Sequence, residues 1–435
     1  MKKKKVLVHG TPDSLKKFFS DALSFDYEVA AILSESFDKV SIVRGGKELD
    51  ILPSQSLPKF IQRIIDAVII TDSNARDAVI NFFLKQGFDI RKLIFWNETN
   101  GWEKVEFKSS DNTRIAYVNG LEFHIQNEAD EKFFKDALSR LKRVRTYRNT
   151  DPKLYPAILA QDFQKKHNRP LDFNNLKTFT EKMQWIKLYD ATTLKSRLAD
   201  KFLVRSWVTE KIGAQYLIPF LGVWDNFDDI DFSVLPDQFV LKCNHGSGMN
   251  VVVRDKYSFD KQRARERINA WLAQDFSFCW NNFELHYTRI NRKIIAEKFM
   301  QDGDAPNLTD YKFWCFGGKP TYCKVITGRT QSARLDYFDM NWQHMNFEQN
   351  NRPNSEHPEQ IPKPKNFELM KTLAAKLAEG FAFVRVDFYE IGGRVYFGEM
   401  TFTPGAGNFS FKSEGTDEHL GTLLTLPKAS PFPRI

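Results

Sequence analysis

The stretch FAFVRVDFYEIGGRVYFGEMTFTPGAG, residues 381–407, constrains this chain more than any other. Val384, Val386 and Phe388 alternate with Phe383, Arg385, Asp387 and Tyr389, so a strand here has one apolar face and one that Arg385 and Asp387 share. Gly392-Gly393 then turns the chain back antiparallel, with Glu399 and Thr401 on one face of the return strand. A two-residue turn sets Asp387 opposite Gly398, and a single bulge would set it opposite Glu399; the sequence leaves that register open. Two carboxylates that close on buried strands repel unless a proton or cation lies between them, and hard oxygens suit Mg2+ held jointly with phosphates. For an isolated hairpin, a solvated face carrying an Arg385–Asp387 pair is the plainer reading. Thr403-Pro404-Gly405-Ala406-Gly407 follows, a turn with little side-chain bulk that suits close approach of the backbone to a ligand.

Upstream, residues 4–97 alternate short apolar strands, at 5–8, 67–71 and 92–96, with amphipathic helical stretches at 14–23 and 74–86. This is the βαβ grammar of an open parallel sheet. The first turn, His9-Gly10-Thr11-Pro12-Asp13-Ser14, has one glycine and lacks the GxGxxG fingerprint, which argues against dinucleotide binding. A strand-like patch at 115–118 leads to a helix from about Glu128 that runs into SRLKRVRTYR, residues 139–148, with five basic residues in ten positions. Such a run reads first as a solvated helix face or linker, and more sharply as contact with an anionic membrane surface. No nucleic-acid-binding motif accompanies it. Residues 151–213 are expected to be mostly helical, with helices at 181–189 and 195–208 and Asp200-Lys201 inside the second.

Residues 238–253, QFVLKCNHGSGMNVVV, read as a hairpin in which a strand ending in Lys242 meets a small polar loop whose amides can hydrogen-bond phosphate oxygens. It is not a P-loop, because GxxxxGK[ST] is absent and a strand follows. His245 in this loop suits contact with phosphate or solvent better than general-base work. Residues 293–300 read as a strand ending at an acidic site, followed by the acidic loop Asp302-Gly303-Asp304. DYKFWCFGGKP at 310–320 gives a strand and turn, 322–327 its partner, and 367–379 an amphipathic helix that leads into the opening hairpin.

In this order the parts resemble the ATP-grasp superfamily, in particular its TupA-like branch, over roughly residues 151–421. The resemblance rests on Asp200-Lys201, the Lys242–Gly248 strand and loop, Glu297-Lys298-Phe299-Met300, DYKFWCFGGKP, RVDFY and FGEMTFTPGAG. Joined to the βαβ pattern upstream, it gives an expected α/β and α+β architecture: a Rossmann-like parallel-sheet domain at 1–127 from that pattern, a helical connector at 128–195, and, from the resemblance, an ATP-grasp fold of two α+β lobes at 196–435. The ATP lobe would span about 214–295 and the metal lobe about 296–425. By similarity, ATP lies between the lobes and a carboxylate is activated as an acylphosphate that an amine attacks. Lys201 and Lys242 would neutralise phosphates, and Asn244, His245, Gly246, Ser247 and Gly248 would fold over them. Glu297, Lys298, Phe299 and Met300 would read adenine, Asp304 would take the ribose hydroxyls, and Lys312 would join the nucleotide contacts. Asp387 and Glu399 would hold Mg2+, and Arg385 would offset charge on the tetrahedral intermediate. Thr401 stands where the family often has Asn, so a hydroxyl would serve as the third metal ligand.

The function implied is an ATP-dependent carboxylate–amine ligase of surface polysaccharide biosynthesis. The alternatives are a glycosyltransferase, a kinase on the same fold, and a noncatalytic binding or assembly protein. No DxD-type metal site in a nucleotide-sugar fold supports the glycosyltransferase. Sixty-three Lys plus Arg against 55 Asp plus Glu gives +8, which favours an anionic partner, and Arg289, Arg292, Arg329 and Arg334 near the proposed ATP strands suggest a uronate-bearing sugar or glycan. An amino acid is the expected amine co-substrate. No apolar run approaches a membrane span, and Val6, Leu7 and Val8 are too few for a signal-peptide core, so a cytoplasmic protein is expected, with contact at the inner membrane face as the sharper reading of the basic run. Cys243, Cys279, Cys315 and Cys323 have no CxxC spacing and read as reduced thiols.

Overall fold

The computed structural model describes residues 4–9, 27–33, 41–44, 47–52, 67–70, 93–95, 106–110, 113–118 and 121–429, apart from 281, 304–307, 328–332 and 351. The chain divides into two compact units, Met1–Glu106 and Phe107–Ile435.

In the first unit, β1 (Lys4–His9), β2 (Tyr27–Leu33), β3 (Ser41–Arg44), β4 (Lys47–Leu52), β5 (Ala67–Ile70) and β6 (Leu93–Phe95) form one sheet in the order β3-β4-β2-β1-β5-β6. β1 lies parallel to β2 and β5, but β3 and β4 pair antiparallel at one edge. The sheet is therefore mixed, not the wholly parallel sheet of a Rossmann-like domain. Three strands of this sheet were not expected from the sequence: β2, and the short β3 and β4 that pair with each other. The expected helices at 14–23 and 74–86 lie outside the described residues.

The second unit begins with a three-stranded sheet, β7 (Glu106–Ser110), β8 (Thr113–Val118) and β9 (Leu121–Ile125), and continues into helix α1 (Glu128–Arg148). Asn127 caps α1 by accepting the amide of Asp130, and Glu128, Asp130 and Glu131 complement the positive end of the helix dipole. Three of the basic residues near its end turn inward. Arg140 lies 4.1 Å over the Trp280 ring, Arg143 donates to the Cys279 carbonyl at 3.1 Å, and Arg148 pairs with Asp275 at 2.9 Å. These three fasten the 275–280 segment, which takes them away from the membrane reading. Among the described residues no helix is long and apolar enough to cross a membrane.

Helices α2 (Tyr155–His167) and α3 (Phe179–Tyr189) follow. Thr178 opens α3 with a capping box: its hydroxyl accepts the Glu181 amide at 3.3 Å, and its own amide donates to the Glu181 carboxylate at 3.0 Å. The single helix expected at 195–208 is two, α4 (Thr193–Ala199) and α5 (Val204–Lys211). Asp200 makes the break, because its carboxylate accepts the amides of Phe202 and Leu203 at 2.8 and 3.2 Å and so competes with helix continuation.

Two sheets carry the rest. β10 (Phe220–Trp224), β11 (Phe239–Cys243), β12 (Asn250–Val253) and β13 (Ile294–Lys298) form an antiparallel sheet in the order β10-β13-β11-β12. Phe239, Leu241, Ile294 and Ala296 pack against Ile268 and Trp271 of α6 (Lys261–Leu272). The larger sheet runs β17 (His344–Met345), β16 (Arg334–Asp339), β15 (Lys319–Thr327), β14 (Asp310–Phe316), β18 (Phe383–Ile391) and β19 (Arg394–Thr401). One face, with Tyr311, Phe313, Val384, Val386 and Phe388, buries Phe367, Met370, Leu373 and Leu377 of α7 (Phe367–Ala378). On the other face, Trp314, Phe316, Tyr322 and Phe383 lie beneath Phe179, Met183 and Ile186 of α3. That covering stops short of Lys312, Lys324, Arg385 and Asp387, whose polar patch lines a cleft. The last helix, α8 (Thr416–Leu423), packs on α3.

Candidate active site

The two glycines of the β18–β19 turn adopt φ of 55° and 74°, the left-handed conformation a two-residue hairpin turn needs. From that turn the strands pair regularly back to Phe388 opposite Phe397, where the register shifts and Gly398 is left as a bulge. The shift sets Asp387 directly opposite Glu399. A side chain at Gly398 would have its Cβ 3.1 Å from the Tyr389 ring and 3.2 Å from the Asp387 carbonyl, so glycine allows this close pairing.

Arg385 bridges the two acids. It donates to Asp387 through Nε and Nη2, each at 2.7 Å, and through Nη2 to Glu399 at 2.5 Å. Lys312 on β14, paired in register with Asp387, donates to the same carboxylate and to Asp310 at 3.3 Å. Thr401 donates to Glu399 at 3.1 Å. Burial pushes the Glu399 carboxyl up, but Arg385, Lys312 and Lys201 outweigh it and hold the group at about 2. Burial lowers the Arg385 guanidinium, yet Asp387 and Glu399 raise it by more, so it stays charged.

Across the cleft, Lys242 sits at the end of β11 and reaches Glu297 of β13 at 2.6 Å, and Arg205 of α5 reaches the other oxygen of Glu297 at 3.2 Å. The break after α4 directs Lys201 here. Its amide donates to the Asn244 carbonyl at 3.0 Å and its ammonium to the Gly246 carbonyl. Burial lowers the Lys201 ammonium. The cleft has a volume of about 660 Å³ and is lined by seven basic residues, Lys201, Arg205, Lys242, Lys312, Lys324, Arg352 and Arg385, against the acids Glu297, Asp310, Asp387 and Glu399. That balance attracts a polyanion.

Gly246, Ser247 and Gly248 line the cleft as expected, whereas the side chains of Asn244 and His245 turn away from it. Asn244 donates to the Asn291 carbonyl at 2.9 Å and accepts the Lys293 amide at 2.7 Å, tying the loop to the start of β13. His245 is buried with Nε2 3.1 Å from the Trp271 carbonyl, and burial lowers it to about 4, so the imidazole is neutral and away from phosphate. Of the four residues expected to read adenine, Glu297 faces the cleft, while Lys298, Phe299 and Met300 are outside its lining. The Lys298 amide is already donated to the Pro219 carbonyl at 2.9 Å, and Phe299 lies 5.0 Å from the Arg254 guanidinium. Asp304 and Arg329 fall outside the described residues. Arg289, Arg292 and Arg334 do not line the cleft: they donate to Thr193, to the Leu272 carbonyl, and to the Asn354 carbonyl and Glu356.

Lys324, Arg205 and Arg352 were not anticipated. Lys324 was legible in part: it stands in register with Lys312 on the polar face of β15, and burial, with Arg385 and Lys312 nearby, lowers it to about 7. Arg205 and Arg352 arrive from elements whose placement only the tertiary fold sets. After β19, Gly405, Ala406 and Gly407 all have positive φ, and α3 holds their carbonyls: Lys187 donates to Ala406 and Gln184 to Gly407, at 3.0 and 2.9 Å.

The donor set suits Mg2+. This ion needs one or two carboxylates beside substrate phosphates and water, and Asp387 opposite Glu399, with the Thr401 hydroxyl adjacent, supplies them. Among the described residues no three acids, imidazoles or thiols gather as a self-sufficient metal site.

A family model described as TupA-like ATPgrasp matches residues 181–425, more than half of the chain. Among solved structures, the chain is similar to a D-alanine–D-alanine ligase from Helicobacter pylori at 16% identity, with 54% of this chain covered and a TM-score of 0.30. That match spans 60% of the Helicobacter ligase. A D-alanine–D-alanine ligase from Bacillus anthracis matches at 12% identity over 92% of this chain and 86% of that one, with a TM-score of 0.28. The ATP-grasp ligase PsnB, complexed with a minimal precursor, Mg and ADP, matches at 9% identity over 94% and 91%, with a TM-score of 0.29. No curated protein matches the sequence.

Proposed function

The chain belongs to the TupA-like ATP-grasp family, and from that premise we propose that it is an ATP-dependent carboxylate–amine ligase acting through an acylphosphate in surface polysaccharide biosynthesis. The observation that carries the reading is the Asp387–Glu399 pair, set face to face by the Gly398 bulge and opening onto a basic cleft opposite Lys242 and the 246–248 loop.

In this reading Lys242, Lys201 and the loop amides hold the ATP phosphates, and Lys312 and Lys324 neutralise the transferring end. Glu297 fixes Lys242 and Arg205 in the cleft until phosphate oxygens compete for them. Asp387, Glu399 and Thr401 would hold Mg2+, and the ion would supply neutralisation of the phosphate charge there. Arg385, which bridges Asp387 and Glu399, meets the negative charge that develops when the amine adds to the activated carbonyl. The exposed Ser247 and Gly248 close over the phosphates and exclude water. An anionic carboxylate substrate such as a uronate fits the basic lining.

The glycosyltransferase alternative has little to stand on, since Asp302 accepts the Gly392 amide at 3.0 Å and so pins the β18–β19 turn. The test is incubation with ATP, Mg2+ and panels of uronate-bearing sugars and amino acids, with ADP, AMP and product mass followed. ADP with a product lighter than its summed substrates by one water supports the ligase. A phosphorylated product that survives without an amine indicates a kinase, and AMP with pyrophosphate contradicts the acylphosphate route.

A further inference from the structure

A second chamber, of about 450 Å³, adjoins the cleft and shares Lys201, Gly246, Ser247, Arg385, Glu399 and Gly405 with it. A ligand seated there abuts the groups that would meet a reacting carbonyl. We propose that this chamber holds the amine co-substrate as its ammonium ion, with Glu284 as the counter-charge; the proposal rests on the ligase reading above.

Glu284 lines the chamber and is 4% exposed. Its partners are neutral: the Thr403 hydroxyl donates to one oxygen and the Asn282 amide to the other, the latter at 3.0 Å. Among the described residues no cation lies within ion-pair distance of it. Lys187 acts on it only from farther off, and its ammonium is donated to the Ala406 carbonyl at 3.0 Å. A buried carboxylate without a paired cation carries an uncompensated desolvation cost, which a bound ammonium relieves. Burial accordingly pushes the Glu284 carboxyl above its usual range.

The remaining wall fits the skeleton of such a ligand. Phe276, Trp280 and Tyr287 line the chamber, and Trp280 is 47% exposed. Arg140 already lies 4.1 Å over the Trp280 ring, so what these three rings offer the ligand is packing for its apolar carbon. Charge sorts the two substrates. The basic cleft repels an ammonium ion, whereas the acid peculiar to the chamber is Glu284 and its bases, Lys201 and Arg385, are those it shares with the cleft. Anions are drawn to one side of Arg385 and the ammonium to the other.

The probes are benzylamine and its neutral isostere benzyl alcohol, titrated calorimetrically into the full chain. Benzylamine is expected to bind about tenfold more tightly, the scale of one charge-assisted contact. Glu284→Gln is expected to abolish that preference, and Trp280→Ala to weaken both probes. Equal affinities in the wild-type protein, or a preference that survives Glu284→Gln, overturn the proposal. Should Glu284→Gln fail to fold, a wild-type crystal soaked with benzylamine decides: nitrogen within hydrogen-bond distance of Glu284 supports it and nitrogen elsewhere overturns it. ATP with Mg2+ is titrated separately into the wild-type protein. Stabilisation by ATP without a probe preference keeps the ligase reading and removes this one; a preference without any response to ATP removes the ligase reading and the co-substrate role with it.

Discussion

Replacing Glu399 with Gln tests the electrostatics of the hairpin directly. Gln has nearly the shape of a protonated Glu, so the substitution imitates permanent protonation. Arg385 keeps both of its 2.7 Å contacts with Asp387 and is not left unpaired. The carboxyl is held at about 2 against an ordinary 4.5, a difference worth about 3 kcal/mol at 1.4 kcal/mol per tenfold. The side chain is 35% exposed, and water screens part of this, so about 1–2 kcal/mol is expected. Because the folded value lies below the unfolded one, the stabilisation is fully present above 4.5 and is lost as pH falls through about 2. Urea unfolding followed by tryptophan fluorescence is expected to show Glu399→Gln less stable by that amount at pH 7, with less than about half the difference left at pH 3. Equal stability at pH 7, or a deficit independent of pH, would refute the account of Arg385 and Lys312 as the charges that hold this carboxylate.

Three further outcomes are expected. Lys324, at about 7 in the free protein, should take up a proton when a triphosphate binds nearby, so ATP titrations at pH 8 in buffers of different ionisation enthalpy should show uptake that Lys324→Met removes; identical uptake in both proteins would place the phosphates elsewhere. Gly421→Ala should cost roughly 1–3 kcal/mol, because the new Cβ would lie 2.2 Å from the Lys177 carbonyl and force α8 off the start of α3; an unchanged midpoint in thermal unfolding would contradict that packing. Lys242→Ala should weaken ATP binding by about tenfold or more, as loss of a charged phosphate contact does, and near-wild-type affinity in calorimetry would move the phosphate site away from β11.

Much of the larger sheet was legible because strand alternation is local. Val384, Val386 and Phe388 announced the buried face, and Gly392-Gly393 announced the turn. The bulge was conceivable from the sequence, but its position depends on how Gly398 fits against Tyr389, which is a tertiary contact. The glycine loop was legible as a hairpin, yet the directions of Asn244 and His245 were not, since they are set by Lys293 and Trp271, 49 and 26 residues away. The break at Asp200 was hidden because Asp200 satisfies the amides of Phe202 and Leu203 through its side chain, which hydrophobic periodicity does not register. The basic run on α1 looked like a surface feature because a one-dimensional charge pattern does not show Trp280 and Asp275 waiting for it.

The claim on which the rest depends is that the basic cleft binds ATP jointly with Mg2+ at Asp387 and Glu399, and calorimetric titration of ATP with and without Mg2+ tests it most directly. The account predicts that Mg2+ tightens ATP binding to the wild-type protein and that the paired change of Asp387 and Glu399 to Ala removes this Mg2+ dependence while binding of metal-free ATP at Lys242 and Lys201 persists. ATP binding that Mg2+ strengthens equally in the double variant would contradict it.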